Sequence, residues 1–137
     1  MSKVFVDTNV LVYAWDEKDK RRRTISRRLL TDLALQGNAV ISTQVLLEFF
    51  RVTTGKMGLP ADVVQRVVRE YENFEVIHTD AKLVNQAIDL FQQYSLSIWD
   101  AAIVAAASSA NCSKLLSEDF QSGAMIDEVE VVNPFDA

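Results

Sequence analysis

Four acidic residues occupy positions that an ordinary surface carboxylate does not explain. Asp7 opens DTNVLVYAWD directly after the apolar run VFV, which places it at the carboxyl end of a short strand. Glu48 lies in VLLEFFRV, where helical spacing puts it on the face shared by Val45 and Val52. A carboxylate in an apolar run carries a desolvation cost unless something compensates it. Arg51, one turn on, offers an i,i+3 ion pair, and a bound metal ion is the alternative. Asp100 falls in SIWD, a capping box with Asp in place of Glu or Gln. Asp119 follows LLS in LLSEDF, so it stands after a strand as Asp7 does. Asp7 also reads as a helix N-cap and Asp119 as a loop residue, and these plainer readings stay open. If the four converge they repel one another, and a hard divalent cation makes such a cluster tolerable. Mg²⁺ or Mn²⁺ takes oxygen ligands and keeps several waters, which suits three or four carboxylates. That is the donor set for two-metal phosphodiester hydrolysis, in which one ion activates water and the other steadies the leaving oxygen. His78 is the only histidine and reads as a surface residue, and the chain has no Gly-rich phosphate loop, Ser-His-Asp set or cysteine nucleophile.

The elements that must carry these acids alternate. Five short β-type runs recur: Val4–Val6, Ala39–Ser42, Glu75–Ile77, Lys114–Ser117 and Val129–Val132. Helical stripes lie between them. Ile25, Leu29, Leu30 and Leu33 form one, closed by Gly37; Val63, Val64, Val67, Val68 and Tyr71 form another, opened by Pro60. Leu83, Val84, Ala87, Ile88 and Phe91 form a third, and 44–53 and 98–109 complete the set. Alternating strands and helices predict a parallel sheet covered on both faces, a three-layer α/β/α fold. No linker divides the 137 residues, so one domain, 1–137, is expected. Ligands of such sheets bind beyond the carboxyl ends of the strands, where the strand order reverses. Asp7 and Asp119 would face each other there if the first and fourth strands are neighbours.

Composition narrows the class. Hydrophobic residues make up 49% and charged residues 24%, which excludes a disordered tail and a membrane protein. The Ala-rich run from Ile98 to Ala110 is too short for a bilayer and holds Asp100. Asp7 interrupts the only apolar N-terminal stretch, so no signal peptide is read. Cys112 stands alone, which excludes an internal disulfide and suits a reducing compartment, so a cytoplasmic location is expected. The net charge of −5 argues at first against a polyanion ligand. Its distribution does not. Lys18, Lys20, Arg21, Arg22, Arg23, Arg27 and Arg28 fall within eleven residues, and from Leu115 onward there is no basic residue. The run reads either as a solvated helix face or as an anion-binding surface.

Taken in order, DTNVLVYAWD, the lone Glu of LLEFF, IWDAAIVAAA and LLSEDF resemble the motifs of PIN-domain nucleases. Among these the chain is most similar to the small VapC-type ribonuclease toxins of toxin–antitoxin modules. The resemblance covers essentially the whole chain. It implies a parallel sheet of order 3-2-1-4-5 and Mg²⁺- or Mn²⁺-dependent endonucleolytic cleavage of RNA. By position, Asp7, Glu48 and Asp100 match the three core acids of such sites and Asp119 the more variable fourth. Thr8 and Ser117 match small hydroxyl positions that help hold these acids, and Asn9 matches a common supporting residue. Glu118 receives no ligand role. A homodimer and a small cognate antitoxin protein are the implied partners. In this light Arg22, Arg23 and Arg27 become candidate contacts to RNA phosphates. Tyr13, Trp15 and Trp99 are expected in the core rather than as base-stacking platforms.

Other readings use the same residues. A housekeeping PIN nuclease would need no antitoxin. Aspartyl-phosphate chemistry would expect a second acid two positions after Asp7, where the chain has Asn9, or a Lys after a late strand, whereas Lys114 precedes its own. A partner-binding module that keeps the fold without turnover is the third.

Overall fold

The computed structural model describes residues 2–136. The chain runs β1 (Lys3–Val6), α1 (Thr8–Tyr13), α2 (Lys20–Gln36), β2 (Ala39–Ser42), α3 (Thr43–Gly55), α4 (Ala61–Tyr71) and β3 (Glu75–Ile77). It continues through α5 (Ala81–Gln93), α6 (Ile98–Ser109), β4 (Cys112–Leu116), β5 (Met125–Ile126) and β6 (Val129–Val132). One sheet results, in the order β3-β2-β1-β4-β6-β5, and all its pairings are parallel except β5 with β6.

The expected order 3-2-1-4-5 holds once the run Val129–Val132 is recognised as the sixth strand. The additional β5 is an edge hairpin strand closed by Asp127 and Glu128, both at positive φ (50° and 67°). That backbone is the tight two-residue turn that matches the twist of antiparallel strands. Two residues are too few to show an alternating pattern, so sequence periodicity passes over β5.

All four residues of β2 are buried, as a strand covered on both faces requires. Phe5 and Val6 of β1, Val40 and Ile41 of β2, and Leu115 of β4 form the centre of the core. Helix α6 presses close to this sheet because its residues are small; Ala101 through Ala107 are all buried. Helix α2 ends at Gly37 in the left-handed conformation (φ 70°), where a side chain would be strained.

Two apolar sets do not reach the core. On α5, Leu83, Ala87 and Leu90 are buried, but Val84, Ile88 and Phe91 remain exposed. On α3, Leu47 and Phe50 are exposed. Trp99 corrects a sequence expectation: it is 67% exposed, because it lies in the first turn of α6, before the stretch that the sheet covers.

Candidate active site

Register fixes the centre of the site. Val6 of β1 pairs with Leu116 of β4, and the Asp7 amide donates to the Leu116 carbonyl (3.0 Å). Asp7 and Ser117 therefore leave neighbouring parallel strands side by side, at the point where the order turns from β2 to β4. The fourth strand runs Cys112–Leu116 rather than 114–117, so Ser117 lies just beyond it. From there its Oγ donates to Asp7 Oδ2 (2.8 Å) and accepts from Asn9 Nδ2 and the Asp119 amide (both 3.1 Å). This fully buried hydroxyl is saturated.

Asp7 does both things its sequence position suggests. It is the N-cap of α1, with Oδ1 accepting from the Thr8 amide (2.7 Å), while Oδ2 turns toward Ser117. Only 5% of the residue is exposed. Burial pushes its pKa up to about 7; the bonds from Ser117 and Thr8 oppose that rise, and the charges of Asp119 and Glu48 add to it. The carboxylate lacks a compensating positive charge.

The remaining acids arrive from three other segments. Glu48 is held by Thr8 Oγ1 on Oε2 (2.9 Å) and by Gln44 Nε2 on Oε1 (3.1 Å). Gln44 also donates to the Trp99 carbonyl (3.2 Å), linking α3 to the entrance of α6. Arg51 makes no ion pair with Glu48, so the plain i,i+3 compensation is not used. Gln44 went unnoticed in the sequence, although a glutamine one turn before a half-buried Glu is a usable signal.

Asp100 is half-buried, its amide donating to Ser97 Oγ (3.1 Å) as the capping box predicts. Burial raises its pKa first; the Ser97 bond opposes this, and the charges of Asp119 and Glu48 raise it further. It therefore shares the electrostatic environment of the other acids. Asp119 is exposed and accepts from Asn9 Nδ2 (3.1 Å), and Asn9 Oδ1 in turn accepts from the Glu118 amide (3.3 Å). Asn9 thus bridges the two strand ends.

Glu118 points elsewhere. Tyr13 Oη and Arg22 Nε (3.1 Å) hold its carboxylate, and Arg22 also pairs with Asp19 (3.0 Å) and lies over the Tyr13 and Phe135 rings. The guanidinium expected on RNA is committed within the protein. Arg27 is exposed but donates through Nε to the Ala14 carbonyl (2.7 Å) above the Trp15 ring. Arg23 is half-buried.

Thr8, Asn9, Glu48 and Asp119 are among the residues lining a cleft of about 320 Å³. A larger groove of about 570 Å³, between α3 and α4, is apolar and contains none of the four acids, so size does not locate the chemistry. The donors are all oxygens, which fits a hard cation. Among the described residues no three acidic, His or Cys side chains stand close enough to hold one ion together as they are. Asn9 lies between Asp7 and Asp119, and Thr8 and Gln44 hold Glu48. Mg²⁺ needs only one or two carboxylates with waters, so the chemistry of the set still fits it.

The family model for the PIN domain matches residues 4–123, which span all four acids. The chain belongs to the PIN-domain family. Solved PIN-like chains share its fold at low identity. VapC20 of Mycobacterium tuberculosis, described as a toxin cleaving the sarcin-ricin loop, superposes with a TM-score of 0.67 at 22% identity, over 85% of this chain and 92% of that one. A chain of a toxin–antitoxin complex from Klebsiella pneumoniae gives 0.69 at 24%, over 99% and 100%. A chain of DNA-bound VapBC from Salmonella typhimurium gives 0.68 at 17%, over 96% and 97%. No curated protein sequence matches.

Proposed function

We propose that this PIN domain is a Mg²⁺- or Mn²⁺-dependent endoribonuclease and the toxin of a toxin–antitoxin pair. One observation carries the reading: Asp7 and Asp119 stand just past the ends of β1 and β4 and share Asn9, Thr8 beside them bonds Glu48, and burial, with the charges of Asp119 and Glu48 adding to it, raises the pKa of Asp7 and Asp100. Such a set favours a cation. Asp7 would be the central holder, with Asp119, Glu48 and Asp100 completing the surroundings through oxygens or intervening waters. A bound divalent ion supplies positive charge to the phosphodiester and lowers the pKa of water. The chain's own residues do the positioning. Ser117 orients the outer oxygen of Asp7, Thr8 and Gln44 aim Glu48, and Asn9 ties Asp119 to the β1 end. Asp7 is buried with both oxygens hydrogen-bonded, which weighs against a role as phosphoryl-accepting nucleophile.

The toxin reading draws on the neighbours, several of which are toxin–antitoxin complexes. The uncovered apolar faces of α3 and α5 suit protein partners, a small antitoxin and a second copy of the chain. Among the described residues no helix is long and apolar enough to cross a membrane. An RNA substrate and the free buried thiol of Cys112 are in keeping with the cytoplasm.

The test compares wild type and Asp7→Asn on total cellular RNA with Mg²⁺, with Mn²⁺ and with EDTA. Cleavage by wild type that needs the metal and is lost in the variant is the expected result. Full cleavage by Asp7→Asn, or by wild type in EDTA, would refute the assignment.

A further inference from the structure

The cleft that holds Glu48 and Asp119 is also lined by basic residues. Arg51 and Lys56 line it together with Asn9, Tyr13 and Met57. Arg51 follows Glu48 by one helical turn, and Lys56 caps the end of α3. Both are exposed, and neither forms an ion pair; the bridges among the described residues use Lys3, Arg22 and Arg66. This is notable because Asp16, Glu48 and Asp119 line the same cleft. The cations of α2 behave differently: Arg22 is paired on two sides and Arg27 is bonded to a carbonyl.

We propose, resting on the ribonuclease reading, that Arg51 and Lys56 hold the RNA backbone in the cleft that Glu48 and Asp119 also line. A polyanion approaching four carboxylates is repelled unless cations accompany them. Two unpaired cations in the same cleft offset that repulsion. The apolar stretch formed by Tyr13 and Met57 suits a ribose or base face.

The experiment measures binding of a fluorescein-labelled, unpaired RNA dodecamer by anisotropy in EDTA, across a salt series. The proteins are wild type, Arg51→Gln/Lys56→Gln, Arg51→Lys/Lys56→Arg and Arg22→Gln/Arg23→Gln/Arg27→Gln. Mn²⁺ binding, read by electron paramagnetic resonance, is measured on each. The Gln pair is expected to weaken RNA binding by about 10-fold or more at 0.1 M salt and to flatten the log–log salt slope by about 1.4, the value for two phosphates on a single strand. Mn²⁺ binding should not change, and the charge-keeping pair should retain the wild-type slope. Wild type that binds and cuts RNA, with the Gln pair indistinguishable from it, overturns this proposal and leaves the ribonuclease reading standing. So does a slope change confined to the α2 triple variant. A glutamate decapeptide that binds through Arg51 and Lys56 while RNA binding is unaffected also overturns it, by assigning these cations to a protein partner. Wild type that neither binds nor cuts RNA overturns the ribonuclease reading itself.

Discussion

Asp7→Asn should stabilise the metal-free protein at alkaline pH while it abolishes cleavage. In the folded chain Asp7 titrates near 7, against 3.8 for the free side chain, with burial as the main cause. Because the folded pKa is the higher one, the folded state binds more protons than the unfolded state between these values. Stability therefore falls as pH rises from about 4 to about 7 and levels off above that. Three units at about 1.4 kcal/mol each give a loss of roughly 4 kcal/mol at pH 8. Asparagine removes the charge but must donate its NH₂ toward the Ser117 hydroxyl, which already serves Asn9 and the Asp119 amide. That misfit costs about 1 kcal/mol. The net gain of about 3 kcal/mol corresponds to about 10 °C in Tm for a chain of this size. The assay is thermal unfolding by circular dichroism in EDTA at pH 8 and pH 4. The variant should melt higher at pH 8 and slightly lower at pH 4, so the two Tm profiles cross. A variant that melts at or below wild type at pH 8 would refute the claim that Asp7 is a buried, uncompensated charge.

Adding Mn²⁺ at about 100 times its Kd should stabilise wild type by about 2.7 kcal/mol and leave Asp7→Asn unmoved, as differential scanning fluorimetry would register. Ser117→Ala deletes the donor to Asp7 Oδ2 and should cost about 2 kcal/mol in urea unfolding at pH 8. The loss should shrink at pH 4, where Asp7 is protonated in both proteins. Glu118→Gln loosens the loop that carries Asp119, since Tyr13 and Arg22 hold that carboxylate. Half-saturation by Mn²⁺ in paramagnetic resonance should rise by about 10-fold, with the KM for RNA unchanged. An altered KM with normal Mn²⁺ binding would place Glu118 on the substrate instead.

The sequence reveals what is periodic or adjacent and passes over what is made across distance. Strand ends and helix entrances carry local marks, so Asp7, Asp100 and Asp119 could be positioned from their neighbours, and β4 beside β1 brings two of them together as expected. Glu48 was recognisable because a carboxylate breaks an apolar helical run. Its partners were harder to see. Arg51 was the near charge, yet Thr8, forty residues away, makes the bond. Arg22 resembled a member of a solvated run because Glu118, its partner, lies 96 residues further along. Trp99 sits against an apolar stretch in sequence, but one helical turn decides whether an indole reaches the sheet or projects past its edge. The α5 stripe comprises Leu83, Val84, Ala87, Ile88 and Phe91, yet only Leu83 and Ala87 of it are buried, with Leu90 beside them. Periodicity gives the width of an apolar face and not the surface that covers it.

A net charge of −5 and an RNA substrate are compatible because electrostatics at a cleft is local. Exposed charges more than about 10 Å away are largely screened at 0.1 M salt. The acidic segment beyond Leu115 therefore matters to an incoming strand mainly through Asp119, and the basic run of α2 only where its guanidinia are free. What the strand meets in the cleft is a short list of charges: Asp16, Glu48 and Asp119, with Arg51 and Lys56. The acids alone repel it, and the charges of Asp119 and Glu48 add to the burial that lifts the Asp7 pKa to about 7. One divalent cation relieves both repulsions at once, so metal and substrate should bind with positive coupling. In a titration of RNA affinity against Ca²⁺, used as a slow or non-hydrolysing stand-in, affinity should rise with the ion for wild type and stay flat for Asp7→Asn. Equal responses in the two proteins would mean that the ion acts on the RNA and not through the carboxylates.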